Sequence, residues 1–191
     1  MPYPNPIITN VKTFDPEVEG QQGIAKVLST ITKENFPNLR ILSPDTFMEL
    51  IQKEAVLFAL QSPRRGLFQI VGMVRYETRG LNCTEICGVW SKKGEHAGNG
   101  LMEGILSIPA VQQSTQFLVT RKGNSMRFLA EKWGFEVLPI SAISHLQDSY
   151  HAAAKNCLYK DKEDHASGIG KLLMIRGAGL PVEKKKTTTE T

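Results

Sequence analysis

The sequence predicts an α/β (α+β) fold, and three observations carry that prediction. Runs rich in β-branched, aromatic and aliphatic residues alternate along the chain with stretches of helical apolar spacing. Two neighbouring runs, Ala55 to Leu60 and Leu67 to Tyr76, are separated by Ser62-Pro63-Arg64-Arg65-Gly66, which reads as a hairpin loop joining an antiparallel pair. The turn Gly98-Asn99-Gly100 stands between a strand-like run and the apolar-periodic stretch Leu101, Ile105, Leu106, as at a helix entrance.

Taken in order, Ile7 to Phe14 reads as a first strand, and Pro16 with Glu17 opens a helix carrying Ile24, Val27, Leu28 and Ile31. Ser43-Pro44-Asp45 is an N-cap with proline at the first helical position, ahead of Phe47, Leu50 and Ile51. In the second run of the hairpin Gly72 interrupts Ile70-Val71-Gly72-Met73-Val74, the mark of a bulge or of close approach by another group. Cys83 to Ser91 is the next strand; a period of two puts Glu85, Cys87, Val89 and Ser91 on one face and Ile86, Gly88 and Trp90 on the other. The helix after Gly98 ends at Pro109, and Gln116 to Thr120 is a compact strand. Asn124 to Trp133 has the stripe Met126, Leu129, Ala130, Trp133, with Gly134 as C-cap, and Phe135 to Leu138 returns as a strand. A helix is expected over His145 to Tyr159 and a last strand over Lys171 to Ile175. This gives a single domain over residues 1–179, a helical insertion over 139–170 and a polar tail over 180–191.

Composition narrows the function classes. At 191 residues, 41% apolar and 22% charged, the chain is that of a globular protein able to bury about 70% of its unfolded surface. No apolar run reaches the roughly 20 residues that cross a bilayer, and Met1-Pro2-Tyr3-Pro4 does not begin a secretory signal, so a cytoplasmic protein without a membrane partner is expected. Net charge is +4, with Lys184 to Lys186 in the tail supplying much of the excess, so no nucleic-acid partner is expected. Cys83, Cys87 and Cys157 match no zinc spacing and read as reduced structural thiols.

The Gly98 to Gly100 turn carries the functional signal. The first N–H groups of a helix lack internal partners and carry the positive end of its dipole, and glycine lets a diphosphate approach the backbone. Without further context, the same turn is an ordinary helix entrance.

The order of elements resembles the GCN5-related N-acetyltransferase superfamily. Phe68-Gln69-Ile70-Val71-Gly72-Met73-Val74 is similar to that family's third strand, and Asn124 to Phe135, closing on Gly134-Phe135, is similar to its fourth helix. The resemblance implies a mixed, mostly antiparallel central sheet of about six to seven strands flanked by helices. It implies acetyl-CoA as co-substrate, with its diphosphate on the segment Glu95-His96-Ala97-Gly98-Asn99-Gly100 running into Leu101. There Glu95 stands where the family carries Gln or Arg. The pantetheine arm would follow Val89, Trp90 and Ser91, of which Val89 and Trp90 read equally as core. Asn124 would contact the cofactor or cap its helix.

Acyl transfer to an amine requires a base. By resemblance that base is Glu85, whose alternative reading is an exposed strand carboxylate; His96 is a second candidate or a solvated loop residue. The family's helical tyrosine acid corresponds to Ala130, which leaves Tyr150, Tyr159 or water for that role. The implied function is acetyl transfer to a small-molecule or protein amine. The alternative is a noncatalytic member of the fold in a larger assembly such as a virion, meeting a partner through residues 143–160 and the C-terminal tail.

Overall fold

A computed structural model of the chain describes residues 6–15, 17–35, 41–64, 67–79, 82–121, 125–139, 142–150, 171–180 and 182. The strands are β1 (Ile7–Asn10), β2 (Val56–Arg64), β3 (Leu67–Thr78), β4 (Cys83–Ser91), β5 (Thr115–Arg121), β6 (Glu136–Leu138) and β7 (Lys171–Arg176). They form one sheet in the order β1-β2-β3-β4-β5-β7-β6. All pairs are antiparallel except β4–β5. The helices are α1 (Val11–Phe14), α2 (Val18–Asn35), α3 (Pro44–Gln52), α4 (Ala97–Leu106), α5 (Pro109–Gln112) and α6 (Ser125–Lys132).

Several boundaries differ from the sequence reading. The first strand stops at Asn10, whose side chain accepts from the Thr13 N–H and starts α1, so Val11–Phe14 is helical rather than extended. Pro109 does not end α4. That helix closes at Leu106, where the N–H of Ser107 donates to the Glu103 carbonyl, and Pro109 occupies the first turn of α5. Ser43 caps α3 from the Thr46 N–H, as its sequence suggests. Gly134 takes φ 84° just past α6, the left-handed geometry that suits glycine.

Two apolar layers sandwich the sheet. Under α4 and α6, one cluster joins Leu57, Val71, Val74, Ile86, Leu101, Ile105, Leu118, Ala130, Trp133 and Phe135. On the opposite face α2 and α3 cover Val56, Phe58, Leu60 and Met73 with Leu28, Phe47 and Ile51. Farther along that face Leu146 and Tyr150 cover Cys83, Phe117, Leu173 and Ile175. Each fully buried Leu or Phe here contributes roughly 1.5–3 kcal/mol. In the 143–160 segment, expected to meet a partner, Leu146 and Tyr150 are thus core residues, while 151–160 lie outside the described residues.

Two irregularities shape the centre of the sheet. Opposite Gly72 the β2–β3 register slips between Ala59 and Leu60, and a Cβ on Gly72 would lie 2.8 Å from Leu101 Cδ1 and 3.0 Å from both Ala97 Cβ and the Trp90 carbonyl oxygen. Gly72 therefore lets α4 lie directly on the strand. Met73 pairs with Trp90 but Arg75 with Cys87, so two residues of β4, Gly88 and Val89, oppose one of β3, Val74, and Gly88 sits in this bulge at φ 60°. The bulge corrects the expected alternation: Ile86 and Val89 pack on the α4 side, and Trp90 packs on the α2–α3 side.

Candidate functional site

The parallel pair β4–β5 is joined at only three registers, Cys83–Thr115, Thr84–Gln116 and Glu85–Phe117. Beyond Glu85, β4 continues to Ser91 on β3, while β5 continues to Arg121 on β7. Among the described residues nothing pairs with the β5-side edge of 86–91, so the two strands part like a V whose apex is Glu85. The strong twist that the Gly88 bulge gives β4 provides a local cause for the divergence.

At the wide end of the V the chain turns through Lys92 to His96 and enters α4. His96 is the N-cap at φ 52° and ψ 22°, and its side chain makes no capping bond. Glu95 donates its N–H to the Lys92 carbonyl at 3.1 Å, and among the described residues it forms no ion pair. The Lys92 ammonium reaches Gln69 Oε1 at 3.4 Å. The helix entrance therefore carries roughly half a positive charge on backbone N–H groups that the N-cap side chain does not engage.

The residues of the glycine turn divide by task. Ala97 and Leu101 are buried against the sheet. A Cβ on Gly100 would meet Ile8 Cγ1 at 3.0 Å, so this glycine serves packing against β1. A Cβ on Gly98 would meet only Leu129 Cδ2, at 3.3 Å, which puts Gly98 at the seam between α4 and α6. Among the described residues Asn99 Oδ1, in the first turn of α4, and Thr120 Oγ1, on β5, are buried with no hydrogen-bond partner. Thr120 lies two residues from Leu118, which packs under α4, so alternation places it on the same side of the sheet.

On the opposite face, at the apex, Glu85 is 7% exposed. This corrects the reading of an exposed strand carboxylate. Its Oε2 accepts from Arg79 Nε at 2.8 Å and lies 2.7 Å from Arg79 Nη2. Arg79 Nη2 is also 2.7 Å from Glu77 Oε2, and Arg75 pairs with Glu77 Oε1. Burial pushes the Glu85 carboxyl above its usual range, against the downward pull of Arg79. Burial works against the charge of Arg79, but Glu85 and Glu77 outweigh it and hold the guanidinium above its ordinary value. Burial also pushes the neighbouring thiols up, Cys83 to about 11 and Cys87 further.

The structure thus brings Val89, Trp90 and Ser91 to the open edge of the V and Ala97 to Leu101 to its mouth, with Glu85 at the apex. Only the main chain of Trp90 belongs to that edge, since its indole packs under α2 and α3. His96 is an exposed residue of the entrance loop. Asn124 and Tyr159 lie outside the described residues. Ala130 is fully buried, and Tyr150 is packed beside Cys83 and Phe117. Sequence reasoning missed Arg79 and Thr120: Arg79 meets Glu85 only through the β3–β4 register, and Thr120 reads as one more strand residue. Among the described residues no group of His, Cys, Asp and Glu is arranged to hold a metal, and no helix is long and apolar enough to cross a membrane.

No family model and no curated protein matches the sequence. Solved structures do match. Rv2747 from Mycobacterium tuberculosis, solved in complex with CoA, aligns at TM-score 0.60 and 14% identity over 89% of this chain and 98% of its own. N-acetylglutamate synthase from Neisseria gonorrhoeae, complexed with coenzyme A and N-acetyl-glutamate, aligns at TM-score 0.58 and 14% identity over 92% of this chain and 35% of its own. A GNAT-family acetyltransferase from Bacillus cereus aligns at TM-score 0.54 and 12% identity over 92% of this chain and 99% of its own. The chain has the fold of the GCN5-related N-acetyltransferases.

Proposed function

We propose that this chain, having that fold, is an acyl-CoA-dependent N-acyltransferase that moves an acetyl group from acetyl-CoA to an amine by direct attack. The observation that carries the reading is the early end of β4–β5 pairing at Glu85 and Phe117, which leaves the edge of residues 86–91 open beside an uncapped helix entrance. The coenzyme A complexes of structures with this fold support the choice of co-substrate.

The residues present fit such a ligand. Backbone N–H groups at Gly98 and Asn99, in the first turn of α4, are donors for a diphosphate, aided by the helix dipole. Main-chain groups of Val89, Trp90 and Ser91 are free to pair with an amide-bearing arm, much as an added strand would. Asn99 Oδ1 and Thr120 Oγ1 are orphaned on the α4 side of the sheet, and a polar ligand there would satisfy groups that otherwise cost roughly 1–3 kcal/mol each. When bound, acetyl-CoA supplies the activated thioester carbonyl and the leaving thiolate.

Glu85 is the base on this reading. Its carboxylate takes a proton from the attacking amine, and burial brings its basicity closer to working pH than that of a solvated carboxylate. N–H groups along the open β4 edge provide donors for negative charge developing on the carbonyl oxygen. No acid stands at Ala130, and the acceptor on this reading is a small amine or one presented on a protein terminus.

A second reading, a noncatalytic member of the fold within a larger assembly, is favoured by two residues, Ala130 in place of an acid and Glu95 at the phosphate segment. Calorimetry with acetyl-CoA, followed by thiol release measured over a panel of primary amines, separates the two. Binding together with amine-dependent thiol release supports the transferase, and binding that fails at millimolar acetyl-CoA overturns it.

A further inference from the structure

We propose that Arg79 is a positioning residue for Glu85: its guanidinium grips one carboxylate oxygen from two nitrogens, while its own backbone is fastened to the segment that precedes the last strand. The proposal rests on the acyltransferase reading above.

Glu77 and Glu85 are direct cross-strand partners, an arrangement in which two like charges repel unless a cation stands between them. Arg79 is that cation, with Glu85 Oε2 at 2.7 Å and Glu77 Oε2 at 2.7 Å from the same nitrogen. Among the described residues every donor to Glu85 goes to Oε2, so on the acyltransferase reading Oε1 is the oxygen left to take the proton. Arg79 is itself tied down. Its N–H donates to the Cys83 carbonyl at 2.8 Å, and its carbonyl accepts from Ser149 Oγ at 3.4 Å. Ser149 lies between Leu146 and Tyr150, whose side chains are buried on β4, β5 and β7. The segment carrying Leu146, Ser149 and Tyr150 therefore supports the base through Arg79, a connection between residues 70 positions apart.

The charged and titratable groups around Glu85 are Arg75, Glu77 and Arg79 from the β3 side, Cys83 and Cys87 on β4, and Tyr150 packed beside Cys83; β5 presents Phe117. Arg79 and Arg75 favour the carboxylate, and Glu77 disfavours it. Two substitutions should thus act in opposite directions, which general structural damage does not do.

The experiment follows kcat/KM against pH for amine acetylation, together with carbon-13 NMR titration of the Glu85 carboxyl in the cofactor-free protein. Arg79→Gln is expected to move the acid limb and the carboxyl titration upward by about one pH unit, roughly a tenfold loss of rate on the acid side, with the KM for acetyl-CoA unchanged. Glu77→Gln is expected to move both downward. Arg79→Lys should restore the position of the limb but not the plateau kcat, because an ammonium lacks the two-nitrogen fork. Titrations that stay in place in both Gln variants overturn the proposal. Failure of the acyltransferase reading would appear differently, as wild-type protein without transfer activity, whereas the carboxyl titration decides Arg79's hold on Glu85 in the free protein.

Discussion

Placing a carboxylate at the second residue of α4 by Gly98→Asp sets fold stability and cofactor affinity against each other. The site admits the side chain, since its Cβ meets only Leu129 Cδ2 at 3.3 Å and that flexible methyl gives by a few tenths of an ångström. A carboxylate in the first turn of a helix interacts favourably with the dipole, by about 0.3–1 kcal/mol, so the variant should melt at or slightly above the wild-type temperature. The same charge opposes a diphosphate: two unit charges about 5 Å apart at an effective dielectric near 20 repel by about 3 kcal/mol. Acetyl-CoA affinity should therefore fall about a hundredfold at low ionic strength, and less as salt is added. Thermal melts and calorimetry on the same preparation measure both effects. A folded Gly98→Asp protein that binds acetyl-CoA as tightly as wild type would refute the assignment of the α4 entrance. Gly100→Asp is not an equivalent probe, because its Cβ lies 3.0 Å from Ile8 Cγ1 and the loss would report damaged packing.

Gly72→Ala forces a methyl to 2.8 Å from Leu101 Cδ1 and 3.0 Å from the Trp90 carbonyl oxygen, so urea unfolding should show a loss of about 1–3 kcal/mol; an unchanged midpoint would mean that α4 does not lie on β3 as described. The raised Glu85 carboxyl adds a pH dependence of known sign: its contribution to stability is fully present below the unfolded value of 4.5 and is lost as pH rises through the folded value. Urea midpoints taken across that window should fall with rising pH in wild type and do so less steeply in Glu85→Gln. Equal slopes in the two proteins would contradict the shift. Cys83, buried and pushed up to about 11, stays protonated at mildly alkaline pH, so peptide mapping after brief iodoacetamide treatment should find it unmodified in native protein and modified in urea; rapid native labelling would contradict its burial.

Much of the scaffold could be read from local chemistry. Ser43-Pro44 starts α3 and Gly134 closes α6, because each of these residues fixes backbone geometry with its own atoms, whereas Ser62, Pro63 and Arg64, expected in the hairpin loop, belong to β2. Gly72 announced a close neighbour, although only the fold supplies Leu101 and Ala97 as that neighbour. What stayed hidden depends on register. Gly88 inside a strand marks a bulge as Gly72 does, but only the register shows that this bulge carries Val89 to the Ile86 face. The same holds for Glu85: its position suggested a base, but its burial and its grip by Arg79 arise from a cross-strand pairing that one chain read in order does not reveal. Asn10 shows the smaller version of this failure, where one side-chain bond turns an apparent strand into a helix.

The place of β7 between β5 and β6 has a consequence for how the chain is made. During synthesis β5 emerges with its Gln116–Arg121 edge bare, and its proper partner, Lys171–Arg176, follows only after the whole stretch between them has been made. Until then Phe117 and Leu118 have only a half-built cover, and the nascent chain presents a sticky ribbon to its surroundings. A stalled or truncated product ending before residue 171 would be a substrate for chaperones and proteases rather than a smaller working protein.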